Sequence, residues 1–142
     1  MKFSGLSEYQ EQRLQTALKN VPFARLVGIE LESAEPGSAT MTLQVREELL
    51  QNNRVVHGGA IASLIDSVTA FAVIPLLKED ETATTVDLTI TYVRPLTEGV
   101  VRSTAKVLRA GNRIVALSAE VFDHTGNLAA TALTTYLRMT RR

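Results

Sequence analysis

Apolar residues recur with helical spacing near the start of the chain and with strand spacing over much of the rest. From Ser7 to Asn20 they return every three or four positions, and Ser7 is a suitable N-cap, so an amphipathic helix is predicted there. Pro22 is expected to end this helix, because proline cannot continue a helix interior. The mixed stretch Leu26–Glu32 is predicted to be a short strand.

A period of two marks the strands that follow. Between Ala39 and Arg46 apolar and polar residues alternate strictly, which is typical of a half-buried strand, and Pro36-Gly37 before it is a turn. The β-branched stretch Thr82–Val93 is predicted to be a strand with four residues on one face, namely Val86, Leu88, Ile90 and Tyr92. Three further strands are predicted at Val100–Arg109, Arg113–Phe122 and Leu128–Met139. Short turns between successive strands indicate an antiparallel meander.

The segment Ala60–Leu77 is the most apolar part of the chain. A membrane span needs about 20 predominantly apolar residues, and this segment contains Asp66 and, near its end, Pro75. We therefore interpret it as a buried central helix and expect no membrane partner. The predicted fold class is α+β, with one long helix wrapped by a curved antiparallel sheet. We expect a single domain overall, in which residues 1–20 form an N-terminal helical segment and residues 21–142 form the main unit.

Composition narrows the possible functions. Fifteen basic and fifteen acidic residues cancel in 142, so the chain carries no excess positive charge for nucleic acid. Cysteine is absent, which excludes disulfides, a cysteine-based zinc site and a thiol nucleophile. The N-terminus has no apolar core of signal-peptide length, and a cytoplasmic location is the default expectation.

Candidate chemistry lies around the start of the central helix. Gly58-Gly59 could be a flexible entrance to the helix, or could let a ligand approach the free N–H groups of the helix N-terminus, which suit a developing oxyanion. His57 precedes them and could orient the loop or a substrate carbonyl. Gln51 and the asparagines after it read most simply as turn residues.

Asp66 lies inside this apolar helix, where a buried carboxylate without a partner is costly. It shares one helical stripe with Ser63 and Ser67, so it is either a structural aspartate satisfied by those serines or by another subunit, or a catalytic acid. Gly59 and Asp66 are about 10 Å apart along the helix axis, too far to act on one group. If both are catalytic, two antiparallel copies of the helix in a two-fold dimer must share each site.

Several spaced residues carry a resemblance to a known family. The string from Gln51 to Ala60, followed by Asp66, resembles the hotdog-fold acyl-CoA thioesterases of the PaaI-like group. That family has His-Gly-Gly at the start of the central helix, an acidic residue nine positions after the histidine, and Asn or Gln six positions before it. Further similarity runs through Val86–Tyr92 and Arg94-Pro95, so that the resemblance covers about Pro22 to Met139.

The resemblance implies a fold, an activity and an assembly. It implies a hotdog fold with five or six antiparallel strands, hydrolysis of an aryl- or fatty acyl-CoA, and sites at a dimer interface, often in a tetramer. It implies that Gly58 is the oxyanion donor through its N–H and that Asp66 of the partner chain is the base or nucleophile. His57 and Gln51 would position the thioester carbonyl or the water. Other residues would contact the substrate, namely Gly59, Thr85, Asn53 and Arg54.

One position departs from the family pattern, and two rival functions stay open. Arg54 stands where the family usually has glycine; it could contact a carboxylated acyl group or a coenzyme A phosphate, or point to solvent. No metal or redox cofactor is expected, since coenzyme A belongs to the substrate. The alternatives are a non-catalytic acyl-CoA binding module and, ranked last, a hotdog enoyl-CoA hydratase or dehydratase.

Overall fold

The structure, a computed structural model, describes residues 1–141, so Arg142 at the end of the predicted main unit lies outside the described residues. The helices in these residues are α1 (Glu8–Lys19), α2 (Pro22–Val27) and α3 (Gly58–Val73), with 3₁₀ turns at Glu47–Leu49 and Ile74–Leu76. The strands are β1 (Lys2–Phe3), β2 (Ile29–Glu35), β3 (Ser38–Gln44), β4 (Glu81–Tyr92), β5 (Val100–Ala110), β6 (Ile114–Phe122) and β7 (Leu128–Thr140).

All strands belong to one sheet with the order β1-β2-β3-β5-β6-β7-β4. The two-residue β1 pairs in parallel with β2, and every other pair is antiparallel. The predicted meander is right for β5, β6 and β7 but wrong for β4, which pairs with β7 at the far edge instead of with β5. The reason is that α3 lies between β3 and β4 in the chain, and its crossing delivers β4 to the opposite edge of the sheet.

Helix α3 forms the core against this sheet and contacts β2, β3, β4, β5 and β6. Half of its sixteen residues are buried: Ile61, Leu64, Ile65, Val68, Thr69, Phe71, Ala72 and Val73. Gly58–Leu76 is long and apolar enough to span a membrane by length and composition, as the core helix of a globular protein also is, and half of its most apolar window is buried inside this fold. The predicted α+β architecture, a long central helix wrapped by an antiparallel sheet as in the hotdog fold, is confirmed.

The N-terminal helix is confirmed almost at the predicted bounds. Ser7 is the N-cap of α1 and forms a capping box with Gln10, in which each side chain bonds the backbone of the other residue. Leu14 on its inner face is fully buried, and Arg13 donates to three carbonyls, those of Leu77, Lys78 and Glu81. These bonds fix α1 against the C-terminal end of α3.

The segment after Pro22 differs from the prediction. Pro22 begins helix α2 instead of only ending α1, because a proline in the first turn lacks only an N–H that has no helical partner there. The strand predicted at Leu26–Glu32 therefore starts only at Ile29. Gly28 separates the two elements with a φ of 90°, and Arg46 donates to the carbonyls of Leu26 and Val27 at the helix end.

A largely buried ion pair joins the start of β4 to the adjacent end of β7. Arg138 on β7 donates to Glu81 at 2.6 Å and to the carbonyls of Leu76 and Gly111, and its side chain and that of Glu81 are each 12% exposed. The bond from Arg138, followed by the N–H of Lys78, lowers the pKa of Glu81 below its ordinary value.

We expect Glu81→Gln to lower the free energy of unfolding at neutral pH, since it leaves the Arg138 guanidinium without its counter-charge. A lowered folded pKa stabilises the protein above the unfolded pKa, near 4.3, and this contribution is lost as pH falls through the folded pKa. The stability gap between wild type and Glu81→Gln should therefore shrink in acid. Urea unfolding from pH 7 to pH 3 measures it, with exposed Glu30→Gln as the control variant. A gap independent of pH contradicts the assignment.

Candidate active site

The loop before α3 ends in a histidine that caps the helix. The Nδ1 atom of His57 accepts the N–H of Gly59 at 2.8 Å, and the backbone N–H of His57 donates to the carbonyl of Leu49 at 2.8 Å. Because Nδ1 is an acceptor here, the neutral ring carries its proton on Nε2, for which residues 1–141 provide no acceptor. His57 therefore has a structural role as the cap of α3.

The two glycines that follow His57 have different roles in the structure. A Cβ on Gly59 would lie 2.9 Å from His57 Nδ1, so a side chain there would displace the ring. The carbonyl of Gly58 accepts the Tyr92 hydroxyl at 2.9 Å, whereas the N–H of Gly58 has no acceptor within residues 1–141. The helix thus presents one free backbone donor at its positive end.

The loop Gln51–Arg54 is a tight turn that holds the helix start. The Gln51 side-chain oxygen accepts the N–H of Asn53 at 2.8 Å, and its backbone bonds to Val55 and Arg54. The turn interpretation of Gln51 is thus what the structure shows for its oxygen, while its amide NH₂ has no acceptor in the described part of the chain. Asn53 is exposed in the same turn.

Arg54 adopts a left-handed conformation with a φ of 64°, alone among the non-glycine residues of the described chain. Glycine reaches this region without steric cost, which explains in physical terms why glycine suits this position. The Arg54 side chain is exposed and lies 3.3 Å from the carboxylate of Glu47. In a single chain, Arg54 therefore points toward solvent and a neighbouring acid.

Asp66 lies on the face of α3 that its own sheet leaves open. The expectation that this carboxylate is buried is wrong, because Asp66 is exposed in the chain. The adjacent serines do not satisfy it either: Ser63 donates to the carbonyl of Gly59, and Ser67 donates to that of Ser63. Instead, the Thr85 hydroxyl donates to Asp66 Oδ1 at 2.8 Å. The acid is thus held in place from the sheet without being removed from water.

A β-bulge brings Thr85 to Asp66. The pairing of β4 with β7 shifts between Thr85 and Asp87, so Val86 is an extra residue on β4. The predicted common face of Val86 with Leu88 and Ile90 is therefore wrong, and Val86 is 54% exposed. The bulge reverses the alternation and turns Thr85 inward, which regular pairing would have turned outward.

Tyr136 on β7 is a site residue that the sequence did not reveal. Its hydroxyl donates to the carbonyl of Asp66 at 2.9 Å, lies 2.9 Å from Thr69 Oγ1 and lies 3.5 Å from Asp66 Oδ1. Burial, with the negative charge of Asp66 as a smaller cause, raises the pKa of Tyr136 to about 12, so it stays a donor. A tyrosine at an inward strand position needs a hydrogen-bond partner, which is the signal that could have found it.

The free donor and the acid are separated along one rigid element. Gly58 and Asp66 are eight residues apart, which is about 12 Å along the axis of α3. Both would have to lie about 3 Å from a reacting group to act on it together. One chain therefore brings His57, Gly58 and Gly59 together at one place, and Asp66, Thr85 and Tyr136 at another.

Comparisons with known proteins agree on one family. The Thioesterase superfamily model matches residues 53–130. The chain is 30% identical over 120 residues to putative esterase SSO1253 of Saccharolobus solfataricus, covering 84% of this chain and 79% of that protein. It is 28% identical over 133 residues to the medium/long-chain acyl-CoA thioesterase YigI of Salmonella typhimurium, covering 83% and 86%. The PaaI protein of the E. coli phenylacetic acid degradation operon superposes with a TM-score of 0.87 at 25% identity, covering 97% and 100%.

We expect His57→Ala to lower the free energy of unfolding by about 1 kcal/mol, because the N-cap acceptor of α3 is lost. His57→Asn should restore most of that loss, since asparagine is also a good N-cap. Chemical denaturation measures both, with exposed His124→Ala as the control, expected to change stability by under about 0.5 kcal/mol. Equal stability of His57→Ala and wild type would show that the cap bond contributes nothing.

Proposed function

The chain belongs to the thioesterase superfamily and is a thioester hydrolase, and we propose that it cleaves an aryl- or fatty acyl-CoA to the free acid and coenzyme A. One observation carries this proposal: the free N–H of Gly58 and the exposed, Thr85-bound carboxylate of Asp66 lie on the same helix. The similarity to a relative named as a medium/long-chain acyl-CoA thioesterase supports a coenzyme A ester as the substrate. Coenzyme A is here part of the substrate.

The N-terminus of α3 would stabilise the charge that develops on the thioester oxygen. The N–H of Gly58 points out of the helix at the positive end of its dipole, where an oxyanion is favoured. The Nε2–H of His57 and the amide NH₂ of Gln51, which have no acceptor in the described residues, would orient the carbonyl or a water. Asn53 and Arg54 would lie at the rim of the site, and Gly59 would keep the His57 ring in place.

Asp66 would supply the base or the nucleophile. In the first route it takes a proton from water, the hydroxide adds to the carbonyl carbon, and the C–S bond breaks to release the coenzyme A thiolate, which then takes up the proton. In the second route Asp66 attacks the carbon itself and the C–S bond breaks to release the coenzyme A thiolate. Water then cleaves the resulting mixed anhydride to the free acid and the Asp66 carboxylate, and the proton that water gives up protonates the thiolate. Thr85 holds Oδ1 in either route, so one carboxylate orientation is selected before substrate binds.

A two-fold dimer would bring the two halves of the site together. The open face of α3 carries Gly59, Ser63 and Asp66, whose small or polar side chains allow a second helix to approach closely. Antiparallel packing of two such helices sets the N-terminus of each beside Asp66 of the other and creates two equivalent sites.

The edge strand supports the same assembly. β4 pairs only with β7, so one side of its twelve residues carries backbone groups without a strand partner in the described residues. Val86 and Tyr92 on this strand and Val93 just after it are half exposed or more. A second copy of β4 would satisfy the backbone groups and cover these apolar side chains.

Arg94 is a cation that borders the same groove as the proposed oxyanion donor, Gly58. It is exposed and lines, with Gly58, Tyr92 and Pro95, a groove of about 310 Å³. Lys106 lines a different cavity, beside Pro36. We therefore assign the first contact with a coenzyme A phosphate to Arg94.

We expect Asp66→Asn and Asp66→Ala to lower kcat/KM by about 10²–10⁴-fold, because the base or nucleophile is lost. Release of coenzyme A is followed with a thiol-detecting dye, and the chain adds no background because it contains no cysteine. Exposed Asp80→Asn, before the start of β4 and outside the proposed interface, is the matched control and should retain wild-type rates. Wild-type rates in both Asp66 variants would remove Asp66 from the mechanism.

We expect Gly58→Pro to lower kcat by about 10²–10³-fold while the helix still forms, since proline suits the first helical position but has no N–H. The extended backbone of His57 is compatible with a following proline. Gly58→Ala is the matched control: its Cβ meets the Tyr92 hydroxyl at the same 3.3 Å but it keeps the N–H.

The same variant tests whether two chains share each site. Subunits of Gly58→Pro and Asp66→Asn, unfolded and refolded together, should regain about a quarter of wild-type activity, because half of the dimers then hold one intact site of two. Equal activity of Gly58→Pro and Gly58→Ala would refute the donor role. No recovery on mixing would place both groups of each site in one chain.

A further inference from the structure

A cavity of about 700 Å³ lies between α1 and the C-terminal end of α3. The described residues of α1 that line it include Gln12, Thr16 and Ala17, and the opposite wall is formed by Ala70, Val73 and Leu77. Its volume is in the range of pockets that hold small ligands. Of the candidate site residues described above, only Tyr136 lines it.

Residues on three elements show that this cavity adjoins Asp66. Ala70 lines it and lies one turn after Asp66 on α3. Ala83 lines it and precedes Thr85 by one inward position on β4. Tyr136 lines it and donates its hydroxyl to the carbonyl of Asp66. The cavity therefore begins beside the group that would act on the thioester.

The walls of the cavity differ in polarity. The wall formed by Ala70, Val73 and Leu77 is apolar, whereas the rest of the lining includes polar and charged side chains such as Gln12 and Glu79. The α1 wall is held still by the bonds of Arg13 to three carbonyls and by the buried side chain of Leu14. The α1 wall of the cavity is therefore fixed. A long chain of methylene groups can reach this wall, whereas a short acyl group cannot.

We propose that this cavity binds the acyl chain of the substrate and that α1, through Thr16 and Ala17, sets the chain length the enzyme accepts. The inference rests on the proposed acyl-CoA hydrolysis and names its acyl subsite. Each methylene group that is buried against the apolar wall raises the affinity for the acyl chain by about fourfold. Medium and long acyl chains are therefore favoured over short ones, and α1 is a specificity element.

The test narrows the cavity from α1 and measures the chain-length profile. Ala17→Phe places a ring in the cavity, Thr16→Phe does so from an exposed position that requires no repacking, and Gln15→Phe, exposed on α1 and outside the lining, is the matched control. Each is assayed with butanoyl-, octanoyl- and palmitoyl-CoA. We expect kcat/KM for the two longer substrates to fall by about tenfold or more in the cavity variants, with butanoyl-CoA within about twofold.

The outcomes separate this inference from the proposed function. Benzoyl-CoA is assayed beside the three fatty esters. A wild type that hydrolyses none of the four overturns the acyl-CoA proposal itself, and a wild type that hydrolyses only benzoyl-CoA overturns the acyl subsite. A wild type that hydrolyses the fatty esters, with cavity variants that lose all chain lengths equally or none, overturns only the acyl subsite. An equal shift in Gln15→Phe would also overturn it, since that ring lies outside the cavity.

Discussion

The structure depends on the burial of one apolar helix against a single sheet. Because the sheet covers the inner side of α3 and leaves the other side open, the helix is rigid and fixes the free N–H of Gly58 and the exposed Asp66 relative to each other. The same rigidity holds Gly58 and Asp66 about 12 Å apart. A site that needs both groups must therefore use two copies of α3. The packing of the core and the proposed two-chain site thus both follow from the rigidity of this helix.

Around that helix, polar contacts orient the reactive groups without burying them. Thr85 holds the carboxylate from β4, Tyr136 holds the backbone at the same residue, and His57 fixes the first turn through Gly59. An acid kept in water by the open face avoids the desolvation cost that an apolar helix would otherwise impose on it. Docking of a second chain and of substrate would then remove water from a carboxylate that already has its orientation, which strengthens electrostatic effects at the reacting carbon.

Elsewhere in the chain, side chains form hydrogen bonds to backbone groups at helix ends and turns, where regular backbone pairing stops. Arg13, Arg46 and Arg138 each donate to carbonyls at helix ends or turns, and they anchor α1, α2 and the sheet edge respectively. In the β6–β7 turn, the Asp123 carboxylate accepts hydrogen bonds from the backbone N–H groups of Asn127 and Thr125. These bonds lower the pKa of Asp123 to about 2. The helix that forms the outer wall of the large cavity is positioned by one of these arginines.

Elements with local sequence signals could be predicted before the structure was known. Periodicity located α1, α3 and the long strands, and the spacing from Gln51 through His57 to Asp66 singled out the candidate site, because these patterns depend only on neighbours in the chain. The three-dimensional fold was needed to show that β4 lies beside β7, that a bulge at Val86 turns Thr85 toward Asp66, and that Tyr136 contacts Asp66. Those relations join residues 19 to 70 positions apart, and they follow from the path of α3 across the sheet and from one extra residue in a ladder, neither of which alters the local pattern of apolar side chains.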